Sequence, residues 1–363
     1  MSSEAETIKT TSTVATSRKA TLKNFIVFAS LLLLLILAIV FGISFGSTDI
    51  APLNVVKILV SKIGLVDANK LNEAETTVVW LIRVPRVLVA AFVGAGLAIS
   101  GAQMQGLFKN PLASPDIIGT SAGASFGAVV AIALGLAARS LFYLPIFAFL
   151  GALLSLFAVY AIATSRGKTP VATLLLSGVA LSALIGAATS FVISLKFVSY
   201  QIAQEIIFWL MGGLDNRTWS HVWLIAPFVL LGILIAIFYM RELDLMLLGE
   251  EAALSLGVEV EHTKRIVLTS AALMTGAAVA VSGIVGFVGL IVPHTVRLLL
   301  GPSHRRLIPA SALMGATFLI IADLIARTLT RPEEIRLGIV TAAFGAPFFL
   351  YLLMKHKRES LTL

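Results

Sequence analysis

Apolar runs about 20 residues long alternate with short polar stretches along this chain, the pattern of helices that cross a bilayer. The first run, Phe25–Phe45, contains the unbroken apolar stretch Leu31–Leu37. It is too long for a signal-peptide core, and no Ala-x-Ala-like site follows closely, so it reads as a retained helix. Further runs near 84–107, 114–137, 144–165, 172–196, 221–240, 265–283, 285–300, 307–328 and 337–354 bring the predicted spans to ten. An even number returns the C-terminus to the side of the N-terminus. Two segments neither span nor turn tightly. Residues 47–78 are polar and are placed outside. In 197–220 the apolar stretch Ile206–Met211 runs into Gly212-Gly213 and Asp215-Asn216, which predicts a short non-spanning outer helix stopped by the glycine pair.

Composition narrows the class. The 363 residues are 58% hydrophobic and 13% charged, against about 25% charged in soluble domains. A mean hydropathy of +0.99 excludes a soluble enzyme and a secreted domain, because too little polar surface exists to cover such a fold. The absence of cysteine excludes disulfides, thiolate metal sites and cysteine nucleophiles. The net charge of +8 needs no nucleic acid partner. Lys9, Arg18, Lys19, Lys23, Lys109, Arg166, Lys168, Arg241, Lys264, Arg265, Arg297, Arg305, Arg306, Lys355, Lys357 and Arg358, 16 of the 27 lysines and arginines, fall in segments on one side and the other 11 lie outside or within spans, a bias that predicts both termini in the cytoplasm. The expected organisation is a polar tail at 1–23, one membrane domain at 24–355 and a second cytoplasmic tail at 356–363.

An internal repeat is visible. Ala98-Ile-Ser-Gly101 recurs as Ala280-Val-Ser-Gly283, and the same offset of 182 (98 to 280) pairs Gly94 with Gly276, Pro111 with Pro293, Gly119 with Gly301 and Ser121 with Ser303. The copies start five spans apart, which inverts their orientation in the membrane. Inverted repeats are a transporter signature. The predicted fold class is therefore all-α: a polytopic membrane protein with about ten transmembrane helices and an inverted internal repeat. Gly119, Gly123, Gly127, Ala131 and Gly135 recur every four residues and predict a close helix–helix contact.

Little in the chain suggests catalysis. Gly167-Lys168-Thr169 resembles the end of a phosphate loop, but Ile162 stands where that motif needs glycine and a membrane helix precedes it instead of a strand. ATP chemistry is thus expected from a partner. The histidines His221, His262, His294, His304 and His356 show no metal-ligand spacing, and no nucleophile elbow is present, so neither a cofactor nor a resident metal is expected. Asp323 and Arg327 lie at i,i+4 within a predicted span. They read either as a local ion pair or as an arginine held toward an external partner. Arg83 and Arg86, flanking Val84-Pro85, sit on the outside against the charge bias. They read as forks for carboxylates or as headgroup contacts. Segment 241–264 predicts a short helix bracketed by Gly249 and Gly257, carrying Glu250 and Glu251 with Leu247, Leu248, Leu254 and Leu256. This fits a cytoplasmic protein contact or an interfacial helix.

Several motifs in order then carry a family resemblance. Arg83-Val-Pro-Arg86, Gly94-Ala-Gly96, Ser100-Gly-Ala-Gln-Met-Gln105, Asn110-Pro-Leu-Ala113 through Gly119, Leu248-Gly-Glu-Glu-Ala-Ala253 with Leu256-Gly257, Gly283 through His294, Ala322-Asp323 with Arg327, and Gly345-Ala-Pro347 resemble the membrane permeases of ferric-siderophore, heme and vitamin B12 ABC importers. The resemblance covers roughly residues 50–355. It implies a second permease subunit (homodimer or heterodimer), two cytoplasmic ATPase subunits and an extracytoplasmic substrate-binding protein, in a bacterial plasma membrane. By resemblance, Arg83, Arg86 and Arg327 dock acidic residues of the binding protein. Residues 243–258, with Leu248, Gly249, Glu250, Glu251, Ala252, Ala253, Leu256 and Gly257, are similar to the coupling helices that sit on an ATPase. The fifth and tenth spans with the 203–212 helix would line the route, and Pro170, Val171, Ala172 and Thr173 would form the cytoplasmic gate. Val171 and Ala172 depart from the small hydroxyl residues that some members carry there. The implied function is translocation of an iron chelate, with ferric siderophore first and heme or cobalamin as alternatives, by alternating access and without enzymatic chemistry. An ion-coupled secondary transporter is the competing class, for which Asp323 is the main candidate carboxylate.

Overall fold

The computed structural model describes residues 2–46, 48–62, 64, 72–195 and 199–360. Residues 47, 63 and 65–71 of the predicted outer segment 47–78, residues 197–198 of the segment 197–220, and the chain end 361–363 of the predicted tail lie outside the described residues. The described residues are helical, and no named strand occurs among them. In chain order the helices are α1 (Ser2–Ser44), α2 (Pro52–Lys62), α3 (Glu73–Thr77), α4 (Val84–Leu107), α5 (Thr120–Ala133), α6 (Leu136–Arg139), α7 (Tyr143–Ala163), α8 (Val171–Ser194), α9 (Tyr200–Leu210), α10 (Trp219–Phe238), α11 (Met240–Met246), α12 (Glu250–Ser255), α13 (Val260–Ser282), α14 (Val288–Leu300), α15 (His304–Thr328) and α16 (Leu337–Ser360).

Among the described residues seven helices are long and apolar enough to cross a membrane, and Thr120–Ala133, Val288–Leu300 and Leu337–Tyr351 are shorter apolar helices. The ten predicted spans fall on these ten elements. The short ones have local causes. Before α5 the chain makes a tight turn at Pro115–Ile118, and Gly119 takes a left-handed φ of 81°. Before α14 it breaks at Gly283 (φ 66°) and again at Phe287 (φ 70°). Fourteen residues of α5 rise about 21 Å, less than the roughly 30 Å of a hydrocarbon core. Irregular backbone at such depth is tolerated where protein covers it.

The first helix starts at Ser2, and the part of it apolar enough to span, Leu22–Ser44, matches the predicted run Phe25–Phe45 to within a few residues. The helix carrying Arg83 starts at Glu73, capped by Asn72, whose side chain accepts from the Ala74 and Glu75 amides. It passes into α4 through a widened turn at Val78–Arg83, where the Val84 amide bonds back to Val79 O. Pro85 has no N–H with which to continue the ordinary ladder there.

Helix α4 is the axis of the bundle and is buried along nearly its whole length. In lipid, apolar faces gain little by meeting each other, so close backbone approach and interhelical hydrogen bonds hold the helices. Gly94 of α4 lies on the Gly315 carbonyl of α15, and Gly101 on the Gly289 carbonyl of α14, where a Cβ would overlap backbone. Gly123 and Gly127 of α5 meet Gly151 and the Phe147 carbonyl of α7 in the same way, so the four-residue stripe is a packing face. It ends before Gly135, which turns the chain with φ 68° and faces open space.

The offset of 182 sets Gly94 and Ala98 of α4 against Gly276 and Ala280 of α13, both inside long helices, but beyond them it does not pair equivalent places. Gly119 begins α5, whereas Gly301 ends α14; Pro111 sits in a turn, whereas Pro293 lies inside α14. Glycine and proline are frequent enough in membrane helices to align in register while serving different turns.

Candidate functional site

The motif residues gather at the two ends of α4 and α15. At one end Arg86 and Arg327 hold Asp323, and Arg83 joins them at the end of α1. Arg83 Nη1 donates to Ile43 O (2.8 Å) and Ser44 O (2.7 Å), and Nη2 donates to Thr48 O and Thr48 Oγ1. Arg327 Nη2 donates to Gly42 O. The last carbonyls of α1, which no helical amide can reach, are therefore capped by cations from α4 and α15. Arg86 donates through Nε and Nη2 to Asp323 (2.8–3.1 Å) and through Nη1 and Nη2 to Glu334 (3.0 and 2.8 Å). Arg327 Nε lies 3.4 Å from Asp323 Oδ2, so the i,i+4 pair exists as part of a larger cluster. Arg83, Arg327 and Asp323 are only 4%, 5% and 1% exposed. None of the three arginines presents a free fork here; Arg86 alone reaches toward solvent, and Glu334 covers it.

At the other end, α11 and α12 meet at Gly249, whose φ of 118° permits the sharp corner. Gly257 (φ 85°) turns the chain again after α12. Leu248, Leu254 and Leu256 are 67%, 57% and 54% exposed, while Ala253 faces inward. Glu251 is exposed, and Glu250 and Ala252 are half-buried. Two polar contacts hold this segment from behind. Asp244 of α11 accepts from the His304 amide (2.7 Å), His304 Nδ1 (2.7 Å) and Ser303 Oγ (2.9 Å), capping α15 from another helix. Burial pushes the Asp244 carboxyl up, but the bonds from His304 and Ser303 outweigh it and hold the group below its ordinary range. Lys264 of α13 donates to Glu250 Oε2 (2.9 Å), Glu261 Oε1 (3.1 Å) and Thr169 O (3.1 Å).

Thr169 leads into the predicted gate. Pro170 is the residue before α8, and Val171, Ala172 and Thr173 form its first turn, with Pro170, Ala172 and Thr173 exposed. The preceding turn is tight: Ser165 and Lys168 exchange backbone hydrogen bonds across Arg166 and Gly167, both at positive φ. Helix α8 is the least buried of the long apolar helices, with Leu176, Val179, Leu184 and Phe191 exposed. Among the described residues no group of three His, Cys, Asp or Glu side chains is placed to hold a metal.

Asp244, His304, Lys264 and Glu334 were not singled out as site residues from the sequence. Lys264 sits among Glu259, Glu261, His262 and Arg265, where it reads as one more solvated charge. No spacing rule links Asp244 to a helix that starts sixty residues later.

With this geometry in place, residues 33–355 match the model of the FecCD transport family. The chain belongs to that family. It is 49% identical over 292 residues to a cobalamin import system permease protein of Halobacterium salinarum, covering 80% of this chain and 76% of that protein. It is 37% identical over 339 residues to an Fe(3+)-citrate import system permease protein of Bacillus subtilis, covering 93% and 97%. A solved structure of an inward-facing metal-chelate type ABC transporter superposes with a TM-score of 0.79 at 33% identity, over 91% of this chain and 99% of that one. The protein is thus a multi-pass membrane permease subunit of an ABC importer of the kind that carries iron chelates, heme or vitamin B12.

Proposed function

We propose that this permease passes a bulky metal chelate into the cytoplasm by alternating access, driven by separate ATPase subunits and fed by an extracytoplasmic binding protein. The observation that carries the reading is the exposed leucine surface of 248–256, held from behind by Asp244 and Lys264. An apolar patch fixed on a charged scaffold suits a protein partner, and residues 248–257 are assigned to the ATPase. Residues 170–173 are assigned to the gate. The exposed face of α8 supports a route shared with a second permease subunit, and both termini are assigned to the cytoplasm. Docking of the binding protein falls to the arginine end, where Arg86 takes an incoming carboxylate in exchange for Glu334, while Arg83 and Arg327 hold the frame. Asp323, locked between Arg86 and Arg327, is unsuited to carry a coupling ion, which weighs against a secondary transporter.

Ferric siderophore is the substrate expected from the sequence. Cobalamin is favoured by a separate observation: the named cobalamin permease shares 49% identity with this chain, the named ferric-citrate permease 37%. Proteoliposomes holding the permease and its ATPase, given binding protein loaded with radiolabelled cobalamin, ferric siderophore or heme, decide between them. The expected result is uptake of one chelate that stops without ATP or without binding protein. Uptake driven by an ion gradient in the absence of ATPase would overturn the reading.

A further inference from the structure

Lys264 is the one buried lysine among the described residues; its side chain is 3% exposed. An ammonium taken out of water is unfavourable unless every donor finds an acceptor. Here three donors meet three acceptors, and the acceptors belong to three segments: Glu250 opens α12, Glu261 lies on α13 itself, and Thr169 belongs to the turn before α8. Glu261 moves with Lys264 because both are on one helix. The other two bonds join separate parts of the chain.

The Thr169 side of this junction is stiff. Thr169 is buried, and its hydroxyl lies 2.9 Å from that of Thr164 across the tight turn. The next residue is Pro170, with its fixed φ, and Pro170 O accepts the Leu174 amide at the start of α8. A displacement of Thr169 O therefore carries the first turn of α8 with it. The Glu250 side is the first residue after the Gly249 corner, so a displacement of α12 moves that carboxylate directly.

Stability alone gives little reason for this arrangement. Apolar replacement of buried ionic groups is often neutral or stabilising. Glu250 and Glu261 are 42% and 28% exposed, so both carboxylates stay partly hydrated if the ammonium is removed, and the group left without its donor is the buried Thr169 carbonyl. We propose that Lys264 is a positioning residue that transmits the position of α12 to Thr169 and so to the start of α8. This rests on the assignment of 248–257 to the ATPase and of 170–173 to the gate.

The test uses the full complex in proteoliposomes, with chelate uptake and ATP hydrolysis measured together. Lys264→Met is expected to lower the unfolding temperature only slightly, through the unpaired Thr169 carbonyl, and to keep its co-purification with the ATPase, while chelate carried per ATP falls at least about fivefold, within the usual range of site-to-site coupling. Glu250→Ala is expected to lower the same ratio, and Lys264→Met with Glu250→Ala to be no worse than either alone. Glu261→Gln, which alters only the bond within α13, should stay near the wild-type ratio. Spin labels at Ala252 and Thr173 should change their separation with ATP differently in wild type and in Lys264→Met. A Lys264→Met complex with an unchanged ratio, multiplicative losses in the double variant, or a fall in unfolding temperature with the ratio unchanged would each overturn the inference alone. Absence of ATP-dependent uptake by the wild-type complex would overturn the importer reading and this inference with it.

Discussion

The two ends of α4 and α15 use charge in opposite ways. At the arginine end, Arg83, Arg86, Arg327 and Asp323 face one another and the carbonyls of α1, and most of the cluster is sealed from solvent. At the opposite end, Asp244 and Lys264 hold α11 and α12 from behind, and the face turned outward is leucine. One end is closed by its charges; the other uses charges to set an apolar surface in place. The consequence is a difference in what a partner must do. A protein at the arginine end has to displace an internal partner such as Glu334, whereas a protein at the leucine end meets a finished surface.

Removing the centre of the closed cluster gives the largest expected effect. Asp323→Ala leaves Arg327 buried without its carboxylate and Arg86 with Glu334 alone. Breaking a buried pair from one side costs about 3–5 kcal/mol, so thermal unfolding in detergent should show a large drop or little folded protein. A wild-type unfolding temperature would mean that the arginines find other partners, and that the closed description of this end is wrong.

Next is the backbone contact at the middle of the bundle, which both ends rely on for their alignment. Gly101→Val would place a side chain into the Gly289 carbonyl. Overpacking of this kind costs about 1–3 kcal/mol or more. Gly135→Val is the internal control for crowding, since Gly135 faces open space and only its positive φ of 68° is strained. Equal losses from the two would show that crowding is not what makes Gly101 matter.

Asp244 tests the scaffold behind the leucines. Asp244→Asn keeps the shape but weakens the cap on α15, with an expected loss of about 1 kcal/mol. The folded pKa is depressed, so the stabilisation is present above the unfolded value of about 4 and is lost as pH falls through the lower folded value. The unfolding-temperature gap between wild type and Asp244→Asn should therefore be flat from neutral to mildly acid pH and close only in strong acid. A gap that already closes at neutral pH would show that the Asp244 carboxylate does not carry the cap.

The sequence carried the spans, the α9 stop at Gly212-Gly213, the Gly249–Gly257 bracket and the small-residue face of α5, because each depends on local period or on glycine geometry. It carried the short α5 and α14 less well, because a run of apolar residues does not reveal where Gly119 or Phe287 turns the backbone. The partners of the charged residues were not legible. Asp323 and Arg327 are four apart and could be paired on paper, but Arg86 and Glu334 reach them from distant segments. Lys264 gave no signal, since its burial follows from how α8, α12 and α13 meet and not from its neighbours in the chain. The motifs of the resemblance gained meaning only in space: Gly101 and Gln105 of one lie against Gly289 and Leu290 of another.

The smallest expected effect on folding belongs to the leucine surface, and it is the most informative about the contrast between the two ends. Leu254 is exposed on α12 and makes no part of the buried core. Leu254→Asp should change stability by no more than about 0.5 kcal/mol, as for other surface substitutions. If the surface receives the ATPase, the same change places a carboxylate in the contact and should abolish co-purification of the two subunits, while Asp323→Ala protein that still folds should retain it. Loss of association without loss of stability would identify a surface kept apolar for a partner. Retained association would leave the exposed leucines as lipid-facing residues and return α12 to the membrane interface.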